Sequence, residues 1–454
     1  MPRLAHLKSD LGAIFTVGGP LIVNNVSSIA VNVADTLMAA RLGSTQLAAV
    51  AIGSGVWIAF FLLGLGIIMA LGPTVAQHFG AGKYAEIGHD TRQGFWLTLV
   101  VSSIVITAMR SVEPGLLWMG IEPAVSVLSQ GYLDAMSWGV IGAFSYHTVK
   151  QMSEGVGRTV PIMAVMIAVL PINIGLNYTF MYGRFGVEPL GAVGCGLGNG
   201  ISFWLMFILL ALYTRRSPHY RPFDVWRDLE RPDPAALRRL VVLGLPIGLS
   251  LFMQSGLFSV VALLMGSLGT ATLAAHQVAL NYSGLVFMIP LGLGMAITVC
   301  VGQAVGRHDL SGAVRIGYTG IFLCTSISLF FGVTTFFYAE SITRAYVTDP
   351  GVAEMAIMLF KIAALLQVGD AIQVAAAFAL RGLKDTRVPM ILNAITYWAV
   401  GFMVAYGLGI FLDFGARGIW IGLTAALWTA AVLLVGRFVI VTRRMLAVQS
   451  TGTH

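Results

Sequence analysis

Charged side chains are scarce in this chain: only 10% of its 454 residues are Asp, Glu, Lys or Arg, where a soluble globular domain carries about 25%. With 57% of residues hydrophobic, too little polar surface remains to face water. A disordered chain or a soluble coiled coil needs more charge, not less, so the shortage points to a surface that faces lipid. Cysteine is nearly absent as well. Cys195, Cys300 and Cys324 are an odd set without metal-ligand spacing, each inside an apolar stretch, and they read as small packing residues. Motifs for bond-making chemistry are missing: no HExxH occurs, no DxxxD falls within a span, and no nucleophile stands beside a base. That disfavours a membrane-embedded hydrolase or transferase. His147 and His276 stand far apart in the chain, and helix packing accounts for His276 in the repeated AAHQ segment. The opening MPRLAHLKSDLGAIF has no small-residue cleavage site, so the first apolar run is expected to stay as a helix.

Long apolar runs, by contrast, fill the chain. A membrane span needs about 20 such residues. The runs lie at 13–36, 46–71, 94–117, 127–148, 160–182, 190–213, 240–263, 274–300, 314–336, 352–376, 388–411 and 415–440. They predict an all-α integral membrane protein with about twelve spans; glycine and proline inside them are tolerated in lipid. Basic residues fix the expected orientation. The side holding the N-terminus receives Arg3, Lys8, Lys83, Arg92, Lys150, Arg158, Arg307, Arg315, Arg381, Lys384, Arg387, Arg437, Arg443 and Arg444. It also receives Arg215, Arg216, Arg221, Arg227, Arg231, Arg238 and Arg239 of the 214–239 stretch. The other side holds Arg41, Arg110, Arg184, Arg344 and Arg417. A bias of roughly four to one places both termini and the 214–239 linker in the cytoplasm. Asp and Pro interspersed in that linker argue against nucleic-acid binding.

The chain also repeats itself. RLGSTQLAAVAIG at 41–53 aligns with SLGTATLAAHQVA at 267–279. At the same offset Pro20 falls on Pro246 and VAQHFG at 75–80 on VGQAVG at 301–306. GVGRTVPIM at 155–163 resembles GLKDTRVPM at 382–390. Two six-span lobes are therefore expected, 1–213 and 240–454, joined by the basic linker 214–239 and related as parallel repeats. Such duplication suits alternating access by two rocking lobes, a need that neither a simple channel nor a membrane enzyme has.

Charge within a span is costly and marks function by default. Asp35 ends the first span in NVADTLMAARLG, where it either meets water and Arg41 or forms a dry carboxylate that loads and releases a proton. Asp370 lies deep in the tenth span, with Gln367 and Gln373 three residues to either side and near its face; that group suits a proton, a small cation or a cationic substrate. Asp134, nearer the outer end of the fourth span, fits either an interface or a cavity, and Lys361 fits a snorkelling residue. Asn173 and Asn177 are one turn apart, so their amides share a face for interhelical bonding or for a polar pocket with Asp35. Gln254 in the seventh span is the counterpart expected opposite Asp370. Pro20, about four turns before Asp35, kinks its helix and is a candidate hinge. The runs GLGLG, GCGLGNG and GARGIWIG lie within apolar spans and read as packing contacts, not phosphate loops.

Taken together, VADTLMAARLGSTQLAAVA at 33–51, the stretch 267–306 and LLQVGDAIQVAAAFALRGLKDTRVPM at 365–390 resemble the multidrug and toxic compound extrusion (MATE) transporters, closest to the NorM-like bacterial branch. The resemblance runs from Pro20 to about Arg437. It implies two six-helix lobes in a bacterial inner membrane, working as a monomer and without a cofactor. Amphipathic, usually cationic compounds would be exported in exchange for H⁺ or Na⁺. It also implies that Asp35 is a coupling residue, that Asn173, Asn177 and, by position, Asn199 line its pocket, and that Asp370 belongs to a second cation site with a seventh-span glutamate. Here that position reads FMQSG, with Gln254. Glutamine cannot ionise, and a hard cation loses a charged oxygen ligand. Proton coupling through Asp35 is therefore expected, with sodium at Asp370 or Asp35 the alternative. A lipid-linked precursor flippase of a related superfamily is the rival; it calls for extra spans or a basic cavity, whereas the charges within these spans are mainly acidic.

Overall fold

In hydrocarbon, each backbone N–H and C=O must be satisfied within its own segment, so apolar runs of span length fold as helices. The computed structural model describes residues 2–227 and 230–451, and no strand occurs among them. Positions 228 and 229 of the expected linker lie outside the described residues. Among the described residues, eleven helices are long and apolar enough to cross a membrane. The expected span at 127–148 is not one of them: it forms two shorter helices that part at Trp138 and Gly139. There the carbonyl of Trp138 accepts from the indole N–H of Trp204 at 2.8 Å instead of continuing the helix ladder.

One compact unit comprises residues 23–248. It contains the second half of α1 (Pro2–Arg41), then α2 (Ser44–Ile68), α3 (Leu71–Gly80), α4 (Tyr84–Met109), α5 (Glu113–Trp118) and α6 (Pro123–Ser137). α7 (Val140–Gly155), α8 (Val160–Tyr182), α9 (Ala192–Arg216), a 3₁₀ turn at Pro218–Phe223 and the first half of α10 (Pro234–Ser267) complete it. Glycines bring α9 against its neighbours along two seams, in the way small residues join helices in lipid. A Cβ on Gly194 or Gly198 would strike α8, at the Phe180 backbone and the Asn177 side-chain oxygen; one on Gly196 would strike the Tyr132 carbonyl of α6. The GCGLGNG run thus packs helices, as its apolar setting indicates.

The other unit comprises residues 1–22 and 249–454. It holds the remaining halves of α1 and α10, with α11 (Thr270–Gly306), α12 (Leu310–Phe337), α13 (Ala339–Tyr346) and α14 (Pro350–Gly382). α15 (Arg387–Ala394) runs into π-helical turns at Ile395–Phe402, α16 (Met403–Tyr406) and a second π stretch at Gly407–Phe411, before α17 (Gly415–Thr451). Aspartates fix two helix starts: Asp309 accepts from Gly312 N and Asp349 from Gly351 N, each at 2.8 Å. In their most apolar stretches α11, α14 and α17 are each 61% buried against 28% for α12, so the first three form the centre of this unit. Ala275, Ala279, Ala356, Ala363 and Ala426 let them approach around Phe360, Tyr397 and Trp420. Large apolar side chains such as Phe322, Leu263 and Val432 remain exposed, as a lipid-facing surface requires.

α1 and α10 are each unbroken, yet each is divided between the units two residues beyond its proline, Pro20 and Pro246. Span order sets the expected blocks 1–213, 214–239 and 240–454; packing divides the chain at a different place, inside two helices and at the same point of the sequence repeat.

Candidate functional site

In the 23–248 unit, α1, α8 and α9 converge on one carboxylate. Asp35, 6% exposed, accepts from Asn177 Nδ2 at 2.6 Å through Oδ1 and from Asn199 Nδ2 at 2.8 Å through Oδ2. Asn173 Nδ2 donates to Asn199 Oδ1 at 2.7 Å and to Ser202 Oγ at 2.9 Å. Asn177 and Asn173 also meet, one turn apart, at 3.3 Å. The amides are therefore ordered, with their N–H groups turned towards the acid. Arg41, the alternative partner, is exposed, and no Lys, Arg or His pairs with Asp35 among the described residues. An isolated buried charge would be prohibitive; two amide donors make it tolerable without a fixed cation.

Sequence reasoning brought Asp35, Asn173, Asn177 and Asn199 to this place but passed over three further contributors. Ser202 and Cys195 flank Asn199 at helical spacing on α9, and the Cys195 sulfur lies 3.7 Å from the Asn199 amide nitrogen. Gly198 supplies the space that the Asn177 oxygen occupies. The i, i+3 and i, i+4 pattern within GCGLGNGIS was the available signal.

The second candidate group lies in the other unit and is less tightly joined. Asp370 is buried on α14, and its Oδ1 has no hydrogen-bond partner. Gln367 and Gln373 are buried beside it on the same helix but turn elsewhere: Gln373 Nε2 donates to Tyr397 Oη at 2.7 Å, and Gln367 Nε2 lies 3.5 Å from Ser283 Oγ. The side-chain oxygens of both glutamines are buried without partners. Gln254 is half-buried on α10 and makes no hydrogen bond to Asp370 among the described residues. Tyr397 sits in the π-helical stretch after α15, which no local sequence pattern announced. Asp134 is exposed and accepts from Gln130 Nε2 at 2.8 Å, a local bond on α6. His276 packs as expected, accepting from Trp420 Nε1 through Nδ1 at 3.1 Å.

The basic linker has its own seat. His89, Arg92, Gln93 and Trp96 form one stripe of α4 at i, i+3, i+4 and i+7. His89 Nδ1 meets Glu230 Oε2 at 2.6 Å, Arg92 pairs with Glu230 Oε1, and Trp96 Nε1 donates to the Glu230 carbonyl at 2.8 Å. Gln93 bonds the backbone at Arg231 and Asp233. The Arg92 guanidinium, aided by His89, holds the Glu230 carboxyl below the usual carboxylate range.

Comparison with known proteins agrees with this picture. The MatE family pattern matches residues 20–179 and 246–407, which are the two repeats. The multidrug resistance protein MdtK of Yersinia pseudotuberculosis serotype O:1b is 37% identical over 423 residues, covering 92% of this chain and 93% of that protein. MdtK of Yersinia enterocolitica serotype O:8 is likewise 37% identical, over 421 residues and 91% of this chain. Among solved structures, the eukaryotic MATE transporter AtDTX14 superposes with a TM-score of 0.86 at 20% identity, covering 97% of this chain and 99% of that one. A MOP superfamily transporter from Pyrococcus furiosus, described as having a binding pocket of reverse polarity, gives 0.83 at 19% identity and covers 95% of this chain. At those identities the structures establish the shared fold. The family pattern and the MdtK relatives go further: this chain belongs to the MatE family of multi-pass membrane transporters, not to a family of enzymes.

Proposed function

We propose that the chain is a secondary active multidrug antiporter, exporting amphipathic organic cations in exchange for protons across a bacterial inner membrane, with both termini in the cytoplasm. The relatives that share 37% of their residues with it are named as multidrug resistance proteins. One observation carries the choice of ion: Asp35 is buried, bonded by two amides and paired with no fixed cation. A carboxylate in that setting takes a proton without leaving a buried cation unpaired. The two N–H groups favour the ionised form, and protonation turns one acceptor oxygen into a donor facing donors. The bonds that tie α1 to α8 and α9 then weaken, and Pro20 supplies the place where α1 bends. Substrate and proton favour different states of the unit, and that difference is all an exchanger requires.

Sodium is the less favoured ion. Gln254 supplies no charge, neither glutamine oxygen bonds into a shared cradle with Asp370, and no cluster of three or more His, Cys, Asp or Glu occurs among the described residues. Asp370 serves in this reading as an aid to substrate binding. The test is uptake of a fluorescent organic cation by proteoliposomes, with a pH gradient and a Na⁺ gradient imposed separately. Uptake driven by the pH gradient alone supports the proposal; uptake driven only by Na⁺ overturns the ion assignment. Absence of transport under either gradient, across several cations, favours the lipid-precursor flippase instead.

A further inference from the structure

Between α4 and the basic linker, the 23–248 unit holds a cavity of about 320 Å³ that shares no residue with the Asp35 cluster. Phe95, Trp96 and Leu99 wall it from α4, and Val225 and Trp226 from the linker. The aromatic rings form a connected frame: Phe95 lies 5.6 Å from Trp226 and 6.1 Å from Phe207 of α9. Both indole N–H groups are already spent. Trp96 Nε1 donates to the Glu230 carbonyl at 2.8 Å and Trp226 Nε1 to Thr214 Oγ1 at 3.2 Å, so carbon faces are what these rings have left to offer. Tryptophan set in this way is characteristic of the boundary between water and hydrocarbon.

The cavity lies where α4 passes from polar to apolar. Glu86, His89, Asp90 and Arg92 occupy the first turns of the helix, whereas Leu99, Val100 and Ile104 are exposed and apolar. From Arg92 to Ile104 the helix rises about 18 Å at 1.5 Å per residue, comparable with half of a hydrocarbon core about 30 Å thick. Charge at the polar end is mostly of one sign. The 214–239 linker carries seven arginines against four acids, and Arg215, Arg216, Arg221, Arg227 and Arg231 are exposed. Arg92 and Arg227 line the cavity itself. Glu230, the acid among the described lining residues, is already engaged by Arg92 and His89. Arg92 Nε remains buried without a hydrogen-bond partner.

We propose that this cavity seats the head-group end of an anionic phospholipid from the leaflet on the linker side. Its phosphate is drawn by Arg92 and Arg227, and its first acyl carbons lie on Trp226 and Leu99, continuing along the exposed face of α4. The size is right for that part of a lipid, since 320 Å³ is at the small end of ligand pockets. Charge selects the anion: basic side chains beside a membrane attract acidic lipids. A zwitterionic lipid has the same chains without the net charge, and an amphipathic cation meets arginines and an acid already paired. A lipid held here touches both the linker and α4, and so fastens the linker to the membrane surface. The site is independent of the ion that drives transport.

The test is native mass spectrometry of the full chain, titrated with phosphatidylglycerol or with phosphatidylcholine of the same acyl chains. Phosphatidylglycerol is expected to be retained preferentially. Arg227→Gln, at a side chain 73% exposed, should weaken that retention by about fivefold, the weight of one basic side chain at an anionic surface. Leu99→Trp fills the cavity from its exposed side and should weaken retention as well. Arg344→Gln on α13, 83% exposed, removes a charge elsewhere and should change nothing. Equal retention of the two lipids, or phosphatidylglycerol retention that neither Arg227→Gln nor Leu99→Trp reduces, would overturn the proposal. So would displacement of the lipid by a fluorescent organic cation whose own binding is lost in Leu99→Trp, which would give the cavity to the transported substrate. If the variants do not accumulate, the wild type decides by hydrogen exchange at 225–227 in nanodiscs. Slower exchange in phosphatidylglycerol than in phosphatidylcholine supports the site, and equal exchange overturns it.

Discussion

Asn177 donates to Asp35 at 2.6 Å from 142 positions away in the chain, while its own side-chain oxygen lies buried and unbonded beside Gly198. The amide is held by the acid alone on its donor side, apart from the longer 3.3 Å contact to Asn173. Its orientation therefore depends on whether Asp35 is charged. Replacing Asn177 or Asn199 by Ala removes one charge-assisted bond, about 1.5–3 kcal/mol. Transport in everted vesicles is expected to fall by about tenfold or more, with protein levels unchanged. Activity within twofold of wild type for both variants would mean that the amides only pack.

Gly198 permits that arrangement by lacking a side chain. A Cβ there would occupy the place of the Asn177 oxygen and push α8 from α9. Gly198→Ala is expected to cost about 1–3 kcal/mol from overpacking, seen as a lower midpoint of thermal unfolding in detergent. Gly175→Ala on α8 is the control: nothing lies within 4 Å of its Cβ position, so its midpoint should hold or rise slightly.

Sodium is expected to leave the protein indifferent. With Gln254 neutral and unbonded to Asp370, the thermal midpoint in NaCl should match that in choline chloride at equal ionic strength. Gln254→Glu restores a charged oxygen, and a midpoint that now rises with Na⁺ is the expected gain. A wild-type midpoint that already rises with Na⁺ would contradict the proton assignment.

The linker's hold on α4 should depend on pH in one direction. Arg92 keeps the Glu230 carboxyl below its ordinary value of 4.5. The stabilisation is therefore complete above that value and disappears as pH falls through the depressed one. Because the Glu230 side chain is 36% exposed, the contribution is about 0–1 kcal/mol. Hydrogen-exchange protection over 230–235 should fall as pH drops below 4.5, and Glu230→Gln should speed that exchange by up to about fivefold.

How far the sequence reaches is visible in particular residues. Asp35, Asn173 and Asn177 could be placed on inward faces because helical spacing and the cost of polar groups in lipid both point the same way. Lys150 and Glu154 escaped because hydropathy ended the fourth span at 148, while α7 continues to Gly155 under the cover of other helices. The break at Trp138 depends on the Trp204 indole, 66 positions on, which no local pattern encodes. Tyr397 reaches Gln373 from a π-helical stretch, where 3.6-residue periodicity no longer predicts the facing residue. The exchange of half-helices between the packing units follows the sequence repeat in position, yet needed tertiary contacts to be seen.

The most direct test of the central claim is cation uptake driven by a pH gradient in Asp35→Asn, with cation binding measured on the same preparation. Asparagine keeps the size of the side chain and cannot take up the coupling proton. The account predicts that binding persists while pH-driven uptake falls to the level of empty liposomes. Uptake by Asp35→Asn at the wild-type rate, under a pH gradient alone, would contradict it.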